Sequence, residues 1–337
     1  MSGSDLAPRP LARAAGAFLL SGVLLALAAC QPLGEGDDDG SPGTSGDGGT
    51  GRLSIATGGT GGVYFPLGGG LADLITENIE GYTATAEETN ASVDNMNLID
   101  TGESDIAFVL GDTAADAVAG SGPFESGAID ACTLGILYTN FTQLVASADS
   151  GITSVADLEG QRVSLGEAES GTEIIGLRIL EAAGIDPDTG IERNQLGIAE
   201  TVDALRDGTI DAGFWSGGLP TAGLVDYAST GDMVLIPTAE YAADLQDEFG
   251  SYYLESEIPA ESYEGQTEAV QVIGVPNVLV VNTSMDEGLQ EQLTALLFEH
   301  KDDLVAVHGA AEELDQETAG DVEFMDVCPG AQTFYGS

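Results

Sequence analysis

The chain has 337 residues, 43% of them hydrophobic, which is enough for one large or two medium globular domains. Its 57 acidic residues stand against 8 basic ones, so the net charge is −49, and repulsion excludes binding to nucleic acid or to anionic membrane surfaces. Acidic residues occur along the whole chain and indicate a protein that works in concentrated salt, where the Debye length falls to roughly 3 Å at 1 M.

The first thirty residues have the pattern of an export signal. Arg9 and Arg13 precede an apolar segment, residues 14–29, which is too short and wrongly flanked for a membrane-spanning helix. The segment ends in Leu27-Ala28-Ala29-Cys30, which resembles a lipobox; an ordinary secretory signal with a chance cysteine is the alternative. We expect cleavage before Cys30, a diacylated cysteine as membrane anchor, and the rest of the chain outside the cell.

A linker and a glycine-rich loop follow. Residues 31–51 contain Gly, Asp, Ser and Pro with almost no large apolar residue, which predicts a flexible tether. Next, Leu53–Ala56 alternates like a strand, and Leu67, Leu71 and Leu74 follow with helical spacing. The loop between them therefore enters a helix N-terminus, where free backbone N–H groups bind anionic or polar groups.

The candidate ligand contacts of this first loop are Gly59, Thr60, Gly61, Gly62 and Tyr64. The spacing does not fit a dinucleotide site, because Tyr64 stands where the third glycine of that motif belongs, and no lysine follows as in a P-loop. A flexible surface turn is the alternative.

Strand, loop and helix then repeat. Ser92 is predicted to cap a helix that carries Asn95 near its start, and residues 105–110 form a buried strand that leads into Gly111-Asp112-Thr113 and another helix. This order predicts an α/β sheet with its loops gathered at the carboxyl ends of the strands. Residues 134–147 form a long apolar strand of the kind that crosses between two lobes.

Two further glycine-containing loops occur in the middle of the chain. Residues 167–173 enter a helix, and Ser170 and Thr172 either cap that helix or offer hydroxyls and amides to a carboxylate. A strand over residues 211–214 is predicted to end before a loop that holds Trp215, the only tryptophan, and the pair Gly217-Gly218.

The last third supplies a strand and a long helix. Val272–Asn282 contains Pro276, which indicates an edge, a bulge or a bend, and Glu287–Val307 has the pattern of one helix. Beyond the anchor, Cys132 and Cys328 form either a disulfide or two free buried thiols. A metal site is disfavoured, because the two histidines have no suitable partner spacing.

Taken together, these segments resemble a known family. Residues 57–68, 92–96, 111–113, 170–173, 214–220 and 275–279 are similar, in this order, to blocks of the TRAP-associated extracytoplasmic immunogenic (TAXI) solute receptors. The resemblance spans roughly residues 52–337 and implies a type II periplasmic-binding-protein fold. Lobe 1 would hold residues 52–145 and 265–337, and lobe 2 residues 146–264. The implied partner is the permease of a tripartite ATP-independent periplasmic (TRAP) transporter.

The resemblance also implies roles in an interlobe cleft. Tyr64 and Trp215 would cover two sides, Asn95 and Asp112 would take polar groups, and Asp112 would suit an ammonium. Ser170 and Thr172 would hold a carboxylate, so the implied solute is a small amino or organic acid such as glutamate, without metal or cofactor. The expected contacts are Gly59, Thr60, Gly61, Gly62, Tyr64, Ser92, Asn95, Asp112, Thr113, Ser170, Gly171, Thr172, Trp215, Gly217 and Gly218.

Two more residues are interpreted in this light. Cys328 stands where the family often has histidine, which favours its pairing with Cys132. Arg178 is a possible charge partner for the solute, but its place inside a helix favours an ion pair between elements.

Two other classes of protein stay open. The same fold serves receptors of ATP-driven (ABC) importers and of sensor kinases, which only neighbouring genes would separate. A secreted enzyme on this fold is the less favoured reading, because the chain has no G-x-S-x-G turn, no Cys–His constellation and no H-E-x-x-H helix.

Overall fold

Strands and helices alternate along the part of the chain that the computed structural model describes, residues 51–230 and 233–336. The predicted signal peptide, Cys30 and residues 31–50 of the predicted linker lie outside these residues, and Gly51 begins the first strand. No helix within the described ranges combines the length and the apolar character that a membrane crossing needs.

The described strands and helices, numbered separately in chain order, have the following bounds. The strands are β1 (Gly51–Ala56), β2 (Tyr82–Glu87), β3 (Ile106–Leu110), β4 (Ala131–Ser147), β5 (Arg162–Ser164), β6 (Glu192–Asn194), β7 (Ala212–Gly217), β8 (Met233–Ile236), β9 (Leu254–Ile258) and β10 (Val270–Asn282). The helices are α1 (Tyr64–Asn78), α2 (Ser92–Thr101), α3 (Gly111–Ala119), α4 (Gly171–Ala182), α5 (Ile198–Arg206), α6 (Ala222–Ala228), α7 (Ala242–Glu248), α8 (Glu287–Glu299), α9 (Lys301–Val307) and α10 (Pro329–Tyr335).

Two long strands, β4 and β10, run through both halves of one sheet of order β2-β1-β3-β10-β4-β7-β5-β6. Near one end they pair with each other, and β10 also pairs with β3; towards the other end β4 pairs with β7 and β8, and β10 with β9. We call the β1–β3 side, with α8–α10, lobe 1, and the β5–β9 side lobe 2. The predicted two-lobed α/β fold with crossing strands is confirmed; the exact domain boundaries stay a prediction.

Pro276 lies at the point where β10 changes partner. Strand β9 pairs with β10 as far as Gly274, and β3 pairs with it from Asn277 onward. Proline has no N–H to give to a ladder, so it fits a position between two partner strands. The pairing with β4 shifts in register directly afterwards, between Asn277 and Val278. Of the predicted alternatives, the irregularity is present, but the strand is central and not an edge.

Separate apolar clusters support the two lobes. In lobe 1, α1 packs with β1, β3 and α8, and Ile55, Ile75 and Leu293 are fully buried there. In lobe 2, Ile175 and Ile179 of α4 pack on β5 and β7. Cys132 at the start of β4 and Cys328 just before α10 form a disulfide within the lobe 1 cluster.

Three local predictions are wrong. The predicted helix Glu287–Val307 is broken at His300, whose φ of −114° and ψ of 25° are not helical, so α8 and α9 are separate. Ser92 does not cap α2: it is the first helical residue, and its Oγ accepts from Leu110 N at 3.1 Å. Strand β7 extends to Gly217, which places Trp215 in a strand that pairs with β4 instead of in a loop.

Candidate functional site

A pocket lies where both lobes meet the crossing strands. Its volume is about 40 Å³; since one water needs roughly 10–15 Å³ on this measure, the cavity has room for a few waters or a small solute. It is lined by Gly58, Gly59, Gly62, Val63, Tyr64, Ala91, Ser92, Leu110, Tyr138, Asn140, Glu167, Ser170, Gly171, Thr172, Trp215, Ser216 and Gly217.

The N-terminus of α4 forms one wall of the pocket. Ser170 caps the helix by accepting from Glu173 N at 3.1 Å, and Thr172 Oγ1 accepts from Ser216 N at 3.2 Å. Ser170 therefore caps the helix and Thr172 does not, while each hydroxyl keeps an O–H that can donate to a ligand. The backbone N–H groups of Gly171 and Thr172 have no acceptor among the described residues. The positive end of the helix dipole therefore faces the pocket with free donors.

The opposite wall is the glycine-rich loop before α1. Gly62 N donates to Gly59 O at 3.1 Å, which folds the loop back on itself at the helix start. A Cβ at Gly62 would lie 3.3 Å from Trp215 Cζ2, so the missing side chain lets the indole of lobe 2 approach lobe 1. The indole Nε1 donates to Thr221 Oγ1 at 3.1 Å, and this bond orients the ring.

Tyr64 lines the pocket with its ring but not with a free hydroxyl. The hydroxyl donates to Asn277 Oδ1, and the ring packs 5.4 Å from the Phe108 ring, centroid to centroid. Burial raises the pKa of the Tyr64 hydroxyl well above its ordinary range, so the group stays protonated and keeps donating. The expected role of a cover on one side of the cleft fits this placement.

Three buried polar atoms at the pocket have no hydrogen-bond partner among the described residues: Tyr138 Oη, Asn140 Oδ1 and Ser216 Oγ. Each residue is at most 7% exposed. A buried polar atom without a partner costs about 1–3 kcal/mol, and native proteins contain few of them. All three residues line this one cavity, which makes the pocket the candidate site for a bound polar molecule.

Sequence reasoning missed these three residues. Tyr138 and Asn140 lie inside β4, which was interpreted only as an apolar crossing strand, and Ser216 lies in β7 beyond the predicted end of that strand. The available signal was the polar run Tyr138-Thr139-Asn140 in an otherwise apolar strand.

Glu167 also lines the pocket and is its only charged residue. Its carboxylate makes no hydrogen bond or ion pair in the described part of the chain. Burial raises the pKa of this carboxyl, and the neighbouring carboxylates of Glu200 and Glu88 raise it further. Glu167 is the first residue of the loop predicted to enter α4, and no role was predicted for it.

The structure brings nine of the fifteen expected contacts to the pocket: Gly59, Gly62, Tyr64, Ser92, Ser170, Gly171, Thr172, Trp215 and Gly217. The other six do not line it: Thr60, Gly61, Asn95, Asp112, Thr113 and Gly218. For the nine, a role in ligand binding stays a prediction.

Asn95 is occupied inside lobe 1. Its Nδ2 donates to Thr57 O and to Phe108 O, both at 2.7 Å, and its Oδ1 accepts from Thr89 Oγ1 at 2.6 Å. The side chain thus ties the glycine-rich loop to the end of β3 and has no group left for a solute. Its position near a helix start suggested a ligand contact, but burial directs the amide to backbone carbonyls.

Asp112 belongs to a buried interlobe network. It accepts from Thr113 N at 2.7 Å and from Tyr253 Oη at 2.9 Å, and Arg178 Nη1 lies 3.9 Å from its Oδ2. Arg178 also forms an ion pair with Asp116 at 2.5 Å. The carboxylate is therefore not available for the ammonium that was expected there, and Arg178 forms the inter-element ion pair that its helix position favoured.

Comparison with solved structures shows which fold the chain has. PhnD1 from Prochlorococcus marinus (MIT 9301), solved with methylphosphonate, matches with a TM-score of 0.53 and 9% identity over 77% of this chain and 90% of that chain. XAC2383 from Xanthomonas citri, bound to ATP, matches with a TM-score of 0.49 and 15% identity over 85% of this chain and 96% of that chain. The periplasmic aliphatic sulphonate binding protein SsuA from Escherichia coli matches with a TM-score of 0.44 and 16% identity over 78% of this chain and 79% of that chain. The chain has the two-lobed α/β fold of the periplasmic binding proteins.

The family follows from the sequence itself. The model of the NMT1-like family matches residues 55–336, nearly all of the described chain, and the protein belongs to that family. The assignment to the TAXI receptors is therefore wrong. The prediction of a TRAP permease as partner rested on that resemblance and is withdrawn with it. Glycine-rich blocks at helix entrances gave the correct fold but the wrong family, because such blocks report how a loop enters a helix and not which transporter is served.

Proposed function

We propose that this protein is an extracytoplasmic solute-binding protein that takes a small carboxylate-bearing solute, an amino or organic acid, into the interlobe pocket. The observation that carries the proposal is the convergence of Tyr138 Oη, Asn140 Oδ1 and Ser216 Oγ, all buried and unpartnered, on one cavity. A solute with several polar atoms would satisfy them. Closure of two lobes around a solute is a hinge motion in which the solute prefers the closed state.

The carboxylate preference rests on the two helix entrances. The free N–H groups of Gly171 and Thr172 begin α4, and the glycine-rich loop begins α1 on the other side of the pocket. Both helices are long enough to present a positive end. A carboxylate there would receive backbone donors without needing a basic side chain, and none lines the pocket.

The proposal includes binding without catalysis. Among the described residues, the pocket lining contains no histidine, cysteine or lysine, and Glu167 is its one group that could transfer a proton at neutral pH. In the described part of the chain, the Glu167 carboxylate makes no hydrogen bond to a pocket hydroxyl, as a base that activates a nucleophile would.

For location and partner, we propose a lipid anchor at Cys30 and delivery of the solute to an ATP-driven importer of the ABC type. The anchor is supported by the lipobox-like Leu27-Ala28-Ala29-Cys30. An ABC importer and a sensor kinase are the two predicted receptor alternatives that are left once the TAXI assignment falls, and the importer is the one that we propose. A gene for a transporter ATPase next to this one would support it, and a gene for a sensor kinase would contradict it.

Binding is tested by thermal unfolding of the full-length protein with amino acids and organic acids, in high salt. A solute at about 100 times its dissociation constant adds about 2.7 kcal/mol to the free energy of unfolding and raises the melting temperature. We expect Asn140→Ala and Ser216→Ala to abolish that rise while both variants still unfold cooperatively.

Thr142→Val is the matched control. Thr142 Oγ1 is also buried and unpartnered, but Thr142 does not line the pocket. The control should keep the ligand-dependent rise. If no carboxylate solute raises the melting temperature of the wild type, the proposed function is wrong; if Thr142→Val loses the rise as the other two variants do, the pocket is not the binding site.

A further inference from the structure

The Glu167 side chain lies between the two lobes, close to the backbone of each. A Cβ built at Gly197 of lobe 2 would lie 2.3 Å from Glu167 Oε1, and one built at Gly59 of lobe 1 would lie 3.2 Å from the same oxygen. The carboxylate thus lies against two stretches of backbone, in the space that the missing side chains of Gly197 and Gly59 leave. It is the one formal charge in the pocket lining.

The described cations do not reach this carboxylate. Arg162, Arg178, Arg193 and Arg206 are paired with other carboxylates, and the Lys301 ammonium donates to backbone oxygens of Glu312 and Leu314. Arg52, the remaining described arginine, lies in β1 outside the pocket lining and forms no ion pair with Glu167. The groups that act on Glu167 electrostatically, Glu88 and Glu200, are themselves acidic. A partly buried carboxylate among like charges is unfavourable unless something positive joins it.

We propose that Glu167 receives a positively charged nitrogen of the solute, so that the pocket selects a solute with a protonated amine over the same carboxylic acid without it. This inference rests on the proposed function, since it assigns a partner to one more group of the same pocket. The free amides of α4 and the Glu167 carboxylate form two sites of opposite sign within one cavity. The role expected for Asp112 would thereby fall to Glu167.

The physical basis is a charge-assisted hydrogen bond. An ammonium donates to a carboxylate with about twice the strength of a neutral pair. An acid without the amine leaves Glu167 unpaired and brings a second negative charge into the cavity. A solute carrying two carboxylates and no amine should be disfavoured most.

Isothermal titration calorimetry on the full-length protein at neutral pH tests the inference with matched pairs of probes. Each pair is a common amino acid and the acid that lacks its amino group, for example alanine with propionate and glutamate with glutarate. We expect the amino member of at least one pair to bind about tenfold or more tightly, the effect of one charged hydrogen bond.

Glu167→Gln should bring that affinity ratio close to one, because the amide keeps the size of the side chain and removes its charge. Glu200→Gln is the matched control: it removes an equal charge beside the pocket but outside its lining, and should keep most of the ratio. A ratio near one in the wild type, or a ratio retained in Glu167→Gln, would overturn the inference and leave the proposed function standing. Failure of every pair to bind the wild type would overturn both.

Discussion

At the scale of single residues, the free protein holds Glu167 in a state that opposes folding. Burial and the negative neighbours raise the pKa of its carboxyl above the ordinary value, so the folded chain binds this proton more tightly than the unfolded chain. The contribution of the group to stability is then most favourable below the unfolded pKa, about 4.3. It is lost as the pH rises through the raised pKa of the folded state.

Because the pKa of Glu167 is raised in the folded state, we expect Glu167→Gln to raise the free energy of unfolding of the solute-free protein at pH 7. The gain should shrink towards zero as the pH falls to about 3, well below the unfolded pKa, where the carboxyl is protonated in both states. Urea unfolding at several pH values measures it. Glu317→Gln, which removes an exposed carboxylate from another surface, is the control for the change in net charge. An equal gain in both variants at every pH would show that the environment of Glu167 has no special effect.

At the scale of elements, the sequence predicts the positions of loops, strands and helices better than it predicts which polar side chains are left without a hydrogen-bond partner in the protein. The glycine-rich loops, the crossing strands and the α/β order follow from periodicity and from glycine positions. These signals do not predict which partner a polar side chain takes. Asn95 and Ser170 lie at helix starts as predicted, but both side chains form hydrogen bonds with backbone groups. Asn140 was missed, because a polar residue inside a buried strand has no local signal beyond its polarity.

Gly171, the first residue of α4, shows how closely one element approaches the other lobe. A Cβ there would lie 2.5 Å from Leu110 Cδ1 and 2.9 Å from Ser92 Oγ, both in lobe 1. We expect Gly171→Ala to hold the lobes apart and weaken solute binding by at least about tenfold, since forcing one methyl group into a packed contact costs roughly 1–3 kcal/mol. Calorimetric titration with a solute that raises the melting temperature in the thermal-unfolding test measures the loss.

Gly69→Ala in α1 is the matched control for that substitution. No atom lies within 4 Å of a Cβ built at Gly69, and alanine is favoured over glycine in a helix. The control should bind as the wild type does and be equally or more stable. If Gly171→Ala also binds normally, the approach of α4 to lobe 1 is not part of the bound state.

At the scale of the whole molecule, the crossing strands explain why one pocket receives groups from distant parts of the chain. Strands β4 and β10 carry Tyr138, Asn140 and the Asn277 partner of Tyr64 through the centre of the sheet. Each lobe then adds a helix entrance from its own side. A shift of one lobe against the other would change all these contacts together, so the proposed function implies that solute binding and lobe closure are coupled.

The charge of the whole chain leads to the last prediction. Acidic residues exceed basic ones by 49, so most carboxylates have no cation to pair with and the folded state repels itself. Salt shortens the Debye length from about 10 Å at 0.1 M to about 3 Å at 1 M and weakens that repulsion. We expect the melting temperature to rise by about 5 °C or more over this range, roughly 2 kcal/mol. Scanning calorimetry should show most of the rise below about 0.5 M, equally in NaCl and KCl, because screening is steepest at low salt. A rise that is absent below 0.5 M and linear above it would point instead to salt exclusion from apolar surface.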